Sequence, residues 1–208
     1  LGMGAGNNLG LKYIKTDYVL ILNPDVILKN DTLEEIIIAS KEIDTFGLIA
    51  PISDNLKFPN YKINKKKKLT NNFDPFEVDT VDGFAMILNL KKLKKIDQFK
   101  DNNFFDENIF LYLENDDLCK RIGKYENIFI VPKSKINHLG ASGVNKKYSE
   151  QIELSRNWHW IWSKFYFNKK HYGFLKAFFD GLPSFLSAIL KVLFYSLFDH
   201  KKKAIYLH

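Results

Sequence analysis

Two short apolar runs closed by turn residues mark the first part of the chain. YVLIL, Tyr18–Leu22, stops at Asn23, Pro24 and Asp25, and FGLIAPI covers Phe46–Ile52. Runs of this length and flanking chemistry predict buried strands, and Pro24, which has no N–H to give to a ladder, ends the first. Between them NDTLEEIIIASKEI predicts a helix, with Asp31 as its N-cap and Glu34 at the capping-box position. Further on, Val81–Leu90 predicts a strand begun at a glycine turn, KKLKKI a short basic helix, and the stretch after Phe104 a loop that becomes a helix near Glu114. NIFIVPKSKINHLG predicts one or two strands ending at His138. Gly2, Gly4, Gly6 and Gly10 around Asn7 and Asn8 predict a flexible turn leading into a short helix, Leu9 to Lys15. Residues 53–77, with Lys65 to Lys68, predict an exposed loop. Strands and helices in alternation imply an α/β layered sheet over residues 1–150.

Residues 151–208 follow a different pattern. Aromatics and lysines are interleaved in SRNWHWIWSKFYFNKKHYGFLKAFF, and Leu182, Phe185, Leu186, Ile189, Leu190, Leu193, Phe194, Leu197 and Phe198 then recur at helical spacing. The apolar run approaches the ~20 residues of a membrane span, but Lys191 interrupts it. An amphipathic helix lying in a membrane interface, lysines on phosphate headgroups, suits the pattern. A helix covering the sheet, or one pairing with a second copy, would show the same spacing.

Charge sharpens this division. The net charge of the 208 residues is +7. Residues 151–208 hold nine Lys and Arg against three Asp and Glu, a net +6, whereas the first 150 hold 22 against 21, a net +1. Arginine occurs only at Arg121 and Arg156. An inventory so poor in arginine, with no basic stripe outside the tail, argues against nucleic acid as a partner. The lone Cys119 allows no internal disulfide and fits a reducing compartment.

Three acidic or imidazole features could carry chemistry. Asp25 follows a strand directly, at the usual ligand edge of an α/β sheet, where a hard oxygen donor suits Mg2+ or Mn2+; it could equally just end the strand. Glu114, Asp116 and Asp117 place three carboxylates in four residues. Such a cluster fits a general base beside a metal site, or simply a helix start enjoying its dipole. His138, at a strand end before Leu139 and Gly140, could be a metal ligand or a packed residue.

In sequence order, GNNLGL, YVLILNPD, VDGFAMIL, FDENIFLYLENDDLCKR and INHLGASG resemble the family 2 glycosyltransferases, most of all bacterial enzymes of the rhamnosyltransferase type. The resemblance covers about residues 2–170. It implies a GT-A fold, a mixed sheet flanked by helices, followed here by C-terminal amphipathic helices. It also implies inverting, metal-dependent transfer from a nucleotide-sugar donor to a lipid-linked or glycan acceptor, in O-antigen or capsule synthesis. The implied location is the cytoplasmic face of the bacterial inner membrane, held peripherally through residues 156–203. By position the metal ligands would be Asp25, with Asn23 at the first place of the motif, and His138. Gly6, Asn7, Asn8, Asp82, Gly83, Asp106, Glu107 and Arg121 would line the substrate site.

The family's usual base position is occupied by Asn115, which cannot take a proton, so the catalytic set would be Glu114, Asp116 and Asp117. Glu114 is favoured as base, and Asp117 is expected to orient Arg121 one turn on. The resemblance further implies that the nucleotide-binding unit which precedes these motifs in relatives is missing, so this polypeptide alone is expected to be weakly active or inactive. The competing reading is a non-catalytic, degenerate membrane-associated homologue or scaffold.

Overall fold

The structure, a computed structural model, describes residues 2–55, 57–63, 73–140 and 149–198. Its elements in chain order are α1 (Met3–Leu11), β1 (Tyr18–Leu22), β2 (Val26–Leu28), α2 (Thr32–Glu42), β3 (Leu48–Ser53), β4 (Tyr61–Lys62), β5 (Phe76–Glu77), β6 (Thr80–Val81), β7 (Ala85–Asn89), α3 (Leu90–Leu93), α4 (Glu114–Ile122), β8 (Ile128–His138), α5 (Ser149–Tyr172) and α6 (Phe174–Phe198). They divide into two compact units, Leu1–Asn108 with Glu114–Gly143, and Ile109–Leu113 with Val144–His208.

The first unit is built on a mixed sheet ordered β1-β7-β3-β8-β2, with β5 also paired to β8. Among the described residues β3 and β8 run parallel and the other pairings of this sheet are antiparallel. The alternation of side chains along a strand splits the core into two layers. Leu48, Ala50, Met86, Leu88, Ile128 and Ile130 face one way, packed with Leu118 and Ile122 of α4 and with Phe99 and Phe104. Ile49, Ile87 and Val131 face the other, against Ile36 and Ala39 of α2. β4 and β6 form a separate antiparallel ribbon.

Several expectations change. The glycine-rich start is helical from Met3, not a turn followed by a helix from Leu9. At Gly4 this helix packs tightly on its neighbour: a Cβ there would lie 3.0 Å from the Phe105 Cβ, so Phe105 would have to give way. YVLIL is a strand, but only Ile21 in it is buried, because β1 ends the sheet. Asp31 makes no side-chain cap for α2; instead the Thr32 hydroxyl accepts from the Lys29 N–H at 2.7 Å and donates to the Lys135 carbonyl at 2.5 Å.

The strand expected over Val81–Leu90 is divided into β6, a turn at residues 82–84, and β7. β8 is one strand of 11 residues, and a register shift opposite Pro51 and Ile52 lets it pass Pro132. Lys65 to Lys68 lie outside the described residues. In the second unit α5 and α6 fold back on each other through Gly173, at φ 91°, and α6 begins at Phe174 and runs through Pro183.

Candidate active site

Four chain segments meet at one end of the sheet. β1 and β8 finish there, and the turn into β7 begins there, because β1 and β7 are antiparallel with Leu22 opposite Ala85. The Asn23 N–H donates to the Phe84 carbonyl at 2.9 Å, and the Asn23 carbonyl accepts from Val26 at 3.2 Å, so Pro24 and Asp25 form a tight turn between β1 and β2. β2 then pairs with the last residues of β8, Val26 opposite His138. The Leu139 N–H donates to the Asp25 carbonyl at 3.0 Å. This pairing brings the Asp25 Oδ2 to 3.3 Å from the His138 Nε2, both side chains about three-quarters buried. The Phe84 ring stacks on the His138 imidazole at 4.2 Å between centroids and fixes its plane.

Asp82, Asn115 and Asp116 complete the cluster. Asp82 is held by its N–H donating to the Asn60 carbonyl at 3.2 Å. Burial raises the Asp82 pKa above the usual carboxylate range; Asp116 adds to this, while Lys62 and His138 oppose it. The charges of Lys62, Asp116 and His138 thus all act on Asp82. The Lys62 ammonium reaches both Asp116 carboxylate oxygens, at 3.2 and 3.4 Å. The Asn115 amide donates to the Val81 carbonyl at 2.7 Å and fastens the start of α4 to β6. Gly83 lies where α1, α4 and the turn converge: a Cβ there would touch Asn115 Cβ and Met3 Cε, each at 3.4 Å.

Glu114 differs from its neighbours. It is only 3% exposed, and its Oε2 is buried with no hydrogen-bond partner among the described residues. Burial, with a smaller push from Asp116, lifts its pKa to about 7, against a partial offset from the hydrogen bond of its own backbone N–H. A carboxyl poised near neutrality is suited to accept a proton at working pH.

Other expected site residues have different places. Asn8 is wholly buried: its amide donates to the Phe105 carbonyl at 2.9 Å and the Glu107 carboxylate at 3.0 Å, and its oxygen accepts from the Phe105 N–H at 2.9 Å. These bonds anchor α1 to the segment around Phe105 and Glu107. Gly6 and Asn7 lie on α1, with Gly6 exposed. The Asp106 carboxylate closes a local turn, accepting from the Asn108 N–H at 3.0 Å.

Asp117 and Arg121, expected in the catalytic and substrate-binding sets, form a core ion pair at 2.8 Å in which neither side chain is more than 5% exposed. Arg121 also donates to the Phe104 carbonyl and lies over the Phe99 ring at 5.2 Å. The pairing of Asp117 with Arg121 is as the i,i+4 spacing predicts, but its place is the core.

Lys62, Asn60 and Phe84 were not singled out from the sequence. Asn60 is buried at φ 78°, its amide bridging the Pro51 and Ala85 carbonyls at 2.7 and 3.1 Å. An Asn after a proline is the one hint, since Asn tolerates that conformation.

Asp25 and His138 fit a divalent ion. Their donor atoms, 3.3 Å apart, are close enough that both could bind one such ion. A carboxylate with an imidazole suits Mn2+. Among the described residues no group of three or more His, Cys, Asp and Glu is gathered to hold an ion alone, so further oxygens would come from a phosphate ligand and water.

No family model matches the chain. Rhamnosyltransferase WbbL of Escherichia coli (strain K12) is 28% identical over 151 residues, covering 58% of this chain and 54% of that protein. The chain thus spans about half the length of the curated relative it matches. Among solved structures, GalNAc-T7 with UDP, GalNAc and Mn2+ superposes with a TM-score of 0.51 at 12% identity, over 74% of this chain and 34% of that one. S. aureus TarS 1–349 aligns over 99% of this chain and 68% of its own with a TM-score of 0.44 at 12% identity, below the level at which a shared fold follows. The sequence likeness is to a sugar-transferring enzyme, and the fold likeness is to a GT-A-type mixed sheet, as the motifs imply.

Proposed function

We propose that this chain is part of an inverting, metal-dependent family 2 glycosyltransferase. It moves a hexosyl group, rhamnosyl being the leading candidate, from a nucleotide-sugar to a glycan or lipid-linked acceptor in bacterial O-antigen or capsule synthesis. Its place is the cytoplasmic face of the inner membrane. The observation that carries the reading is the approach of Asp25 to His138 at the ligand edge of the sheet, 3.3 Å between donor atoms.

Asp25 and His138 would hold Mg2+ or Mn2+, which when bound stabilises charge on the leaving diphosphate. Asn23 shapes the turn that presents Asp25. Asp82 and Gly83 border the sugar, and Lys62 keeps Asp116 oriented as an acceptor beside it. Glu114 takes the acceptor hydroxyl proton on its free Oε2. The acceptor oxygen then bonds to the anomeric carbon as the bond from that carbon to the diphosphate oxygen breaks, and the nucleoside diphosphate leaves with the electron pair. Asn115 holds α4 in place and takes no proton.

The test is turnover of a nucleotide-sugar panel by the full-length protein with Mn2+, with Mg2+ and with EDTA, for wild type and Asp25→Ala. Transfer lost in EDTA and in Asp25→Ala, with unchanged circular dichroism, is expected. Full activity in either would remove the metal role. A second reading, a non-catalytic homologue, is favoured by the commitment of the Asn115 amide to a backbone carbonyl. It takes over if the wild-type protein turns over no nucleotide-sugar.

A further inference from the structure

The α5–α6 hairpin is turned inside out relative to a soluble helical pair. The small side chains of α6 face inward, with Ala177 buried and Gly181 and Ala188 partly so. The opposite face is apolar along its whole length: Leu175, Phe179, Leu186, Leu190, Leu193 and Leu197, spaced three, four or seven apart, are each 49–78% exposed. In the Phe174–Leu197 segment, long and apolar enough by composition to cross a bilayer, only 6% of the most apolar window is buried. An exposed apolar face of this extent marks a site of association.

Two features identify what covers it. The hairpin is basic, with Arg156, Lys164, Lys169 and Lys170 on α5 and Lys176 and Lys191 on α6, against Asp180 as the acidic group whose side chain is described. Trp158, Trp160 and Trp162 are each 45–48% exposed, and Trp158, Trp162 and Tyr166 stack in a ladder along α5. Lysines with half-exposed tryptophans suit the headgroup level of a bilayer bearing anionic lipid.

The hairpin also limits how α6 can enter. At roughly 37 Å its 25 residues could span the hydrocarbon. Yet its first turns are tied to α5: Asn168 donates to Asp180 at 3.2 Å, and Phe165 packs edge-on against Phe174. Crossing would draw Lys164, Lys169 and Lys170 into hydrocarbon or break these contacts, whereas lying flat keeps both.

We propose that the hairpin docks flat on an anionic bilayer, the Leu175–Leu197 face of α6 sunk to the acyl boundary and the lysines at phosphate level. This specifies the membrane partner of the function proposed above, but it does not depend on sugar transfer.

The test is co-sedimentation of the full-length protein with vesicles of phosphatidylglycerol and phosphatidylethanolamine, and with vesicles of phosphatidylcholine. Binding at least about tenfold stronger to the anionic vesicles is expected, falling about tenfold or more in Leu190→Asp/Leu193→Asp. Asp25→Ala should bind as wild type does, which separates this outcome from failure of the catalytic reading. Spin labels placed singly at Leu175, Leu186 and Leu197 should report equal depth, and they test the orientation even if the aspartate variant misfolds. Failure to bind either vesicle, undiminished binding by the folded aspartate variant, or a label at Leu186 far deeper than the other two would overturn the proposal. So would a vesicle-excluded dimer closed through this face.

Discussion

α4 and α6 both defy the ordinary arrangement of a surface helix, in opposite senses. α4 is among the most polar segments of the chain, yet seven of its nine residues are buried, including Glu114, Asn115, Asp117 and Arg121. α6 is the most apolar helix and presents leucines and phenylalanines outward. Each arrangement is costly in water unless something compensates. Within α4 the compensation is visible for most groups: Asp117 has Arg121, Arg121 has also the Phe104 carbonyl, and Asn115 has the Val81 carbonyl. Glu114 Oε2 has no partner among the described residues. For α6 no such compensation is found among the described residues, and the bilayer proposed above would supply it. Side chains placed against their own solvation preference, with no described residue to satisfy them, are where a ligand is to be sought.

The sharpest way to break the comparison is to remove a partner inside α4. Arg121→Met takes the guanidinium away from the buried Asp117 carboxylate and from the Phe104 carbonyl, and should cost about 3–5 kcal/mol. Chemical denaturation reads this directly, and a loss below about 1 kcal/mol would mean the pair is not holding the helix.

Next in size is Glu114→Gln. A carboxyl whose folded pKa lies above its unfolded value holds its proton more tightly when folded. Stability therefore falls as pH rises from about 4.5 through about 7. The variant should match wild type at pH 4 and exceed it by about 3 kcal/mol at pH 8. Melts of both proteins across that range check the sign, and a difference independent of pH would show that Glu114 carries no strained charge.

Smallest is Asn8→Ala, which leaves the Phe105 N–H and carbonyl unpaired and should cost about 1–3 kcal/mol. With the Asn8 side chain committed to the Phe105 backbone and Glu107, its activity should fall no further than its stability does. A selective rise in KM with stability intact would return Asn8 to the substrate site.

Much of the sheet was legible in the sequence because it depends on local pattern. YVLIL and LIAPI are strands, α4 starts at Glu114, and the Asp117–Arg121 pair follows from helical spacing. What failed depends on contacts distant in sequence. The glycines of α1 read as a turn because nothing local reveals that Phe105 must approach Gly4. Asp31 looked like a cap, but Thr32 is drawn to the Lys135 carbonyl on a strand about a hundred residues away. YVLIL looked buried because burial depends on strand order, and composition does not give order.

At the site, the resemblance groups Asp25 with His138, and the register of β2 on β8 is what brings them within 3.3 Å. The resemblance puts Arg121 among the residues lining the substrate site, and the structure gives it a buried partner, Asp117. Lys62 carries no local mark at all, since it belongs to the site only through the β4–β6 ribbon.

The most direct measurement is the pH dependence of kcat/KM for sugar transfer by the full-length protein, wild type beside Glu114→Gln. If the unpartnered carboxyl of α4 is the base, wild-type activity rises through an acidic limb near pH 7. The variant then loses about 10²–10⁴-fold in rate while keeping its fold. A Glu114→Gln protein that transfers sugar at the wild-type rate, with the same limb, would contradict the account.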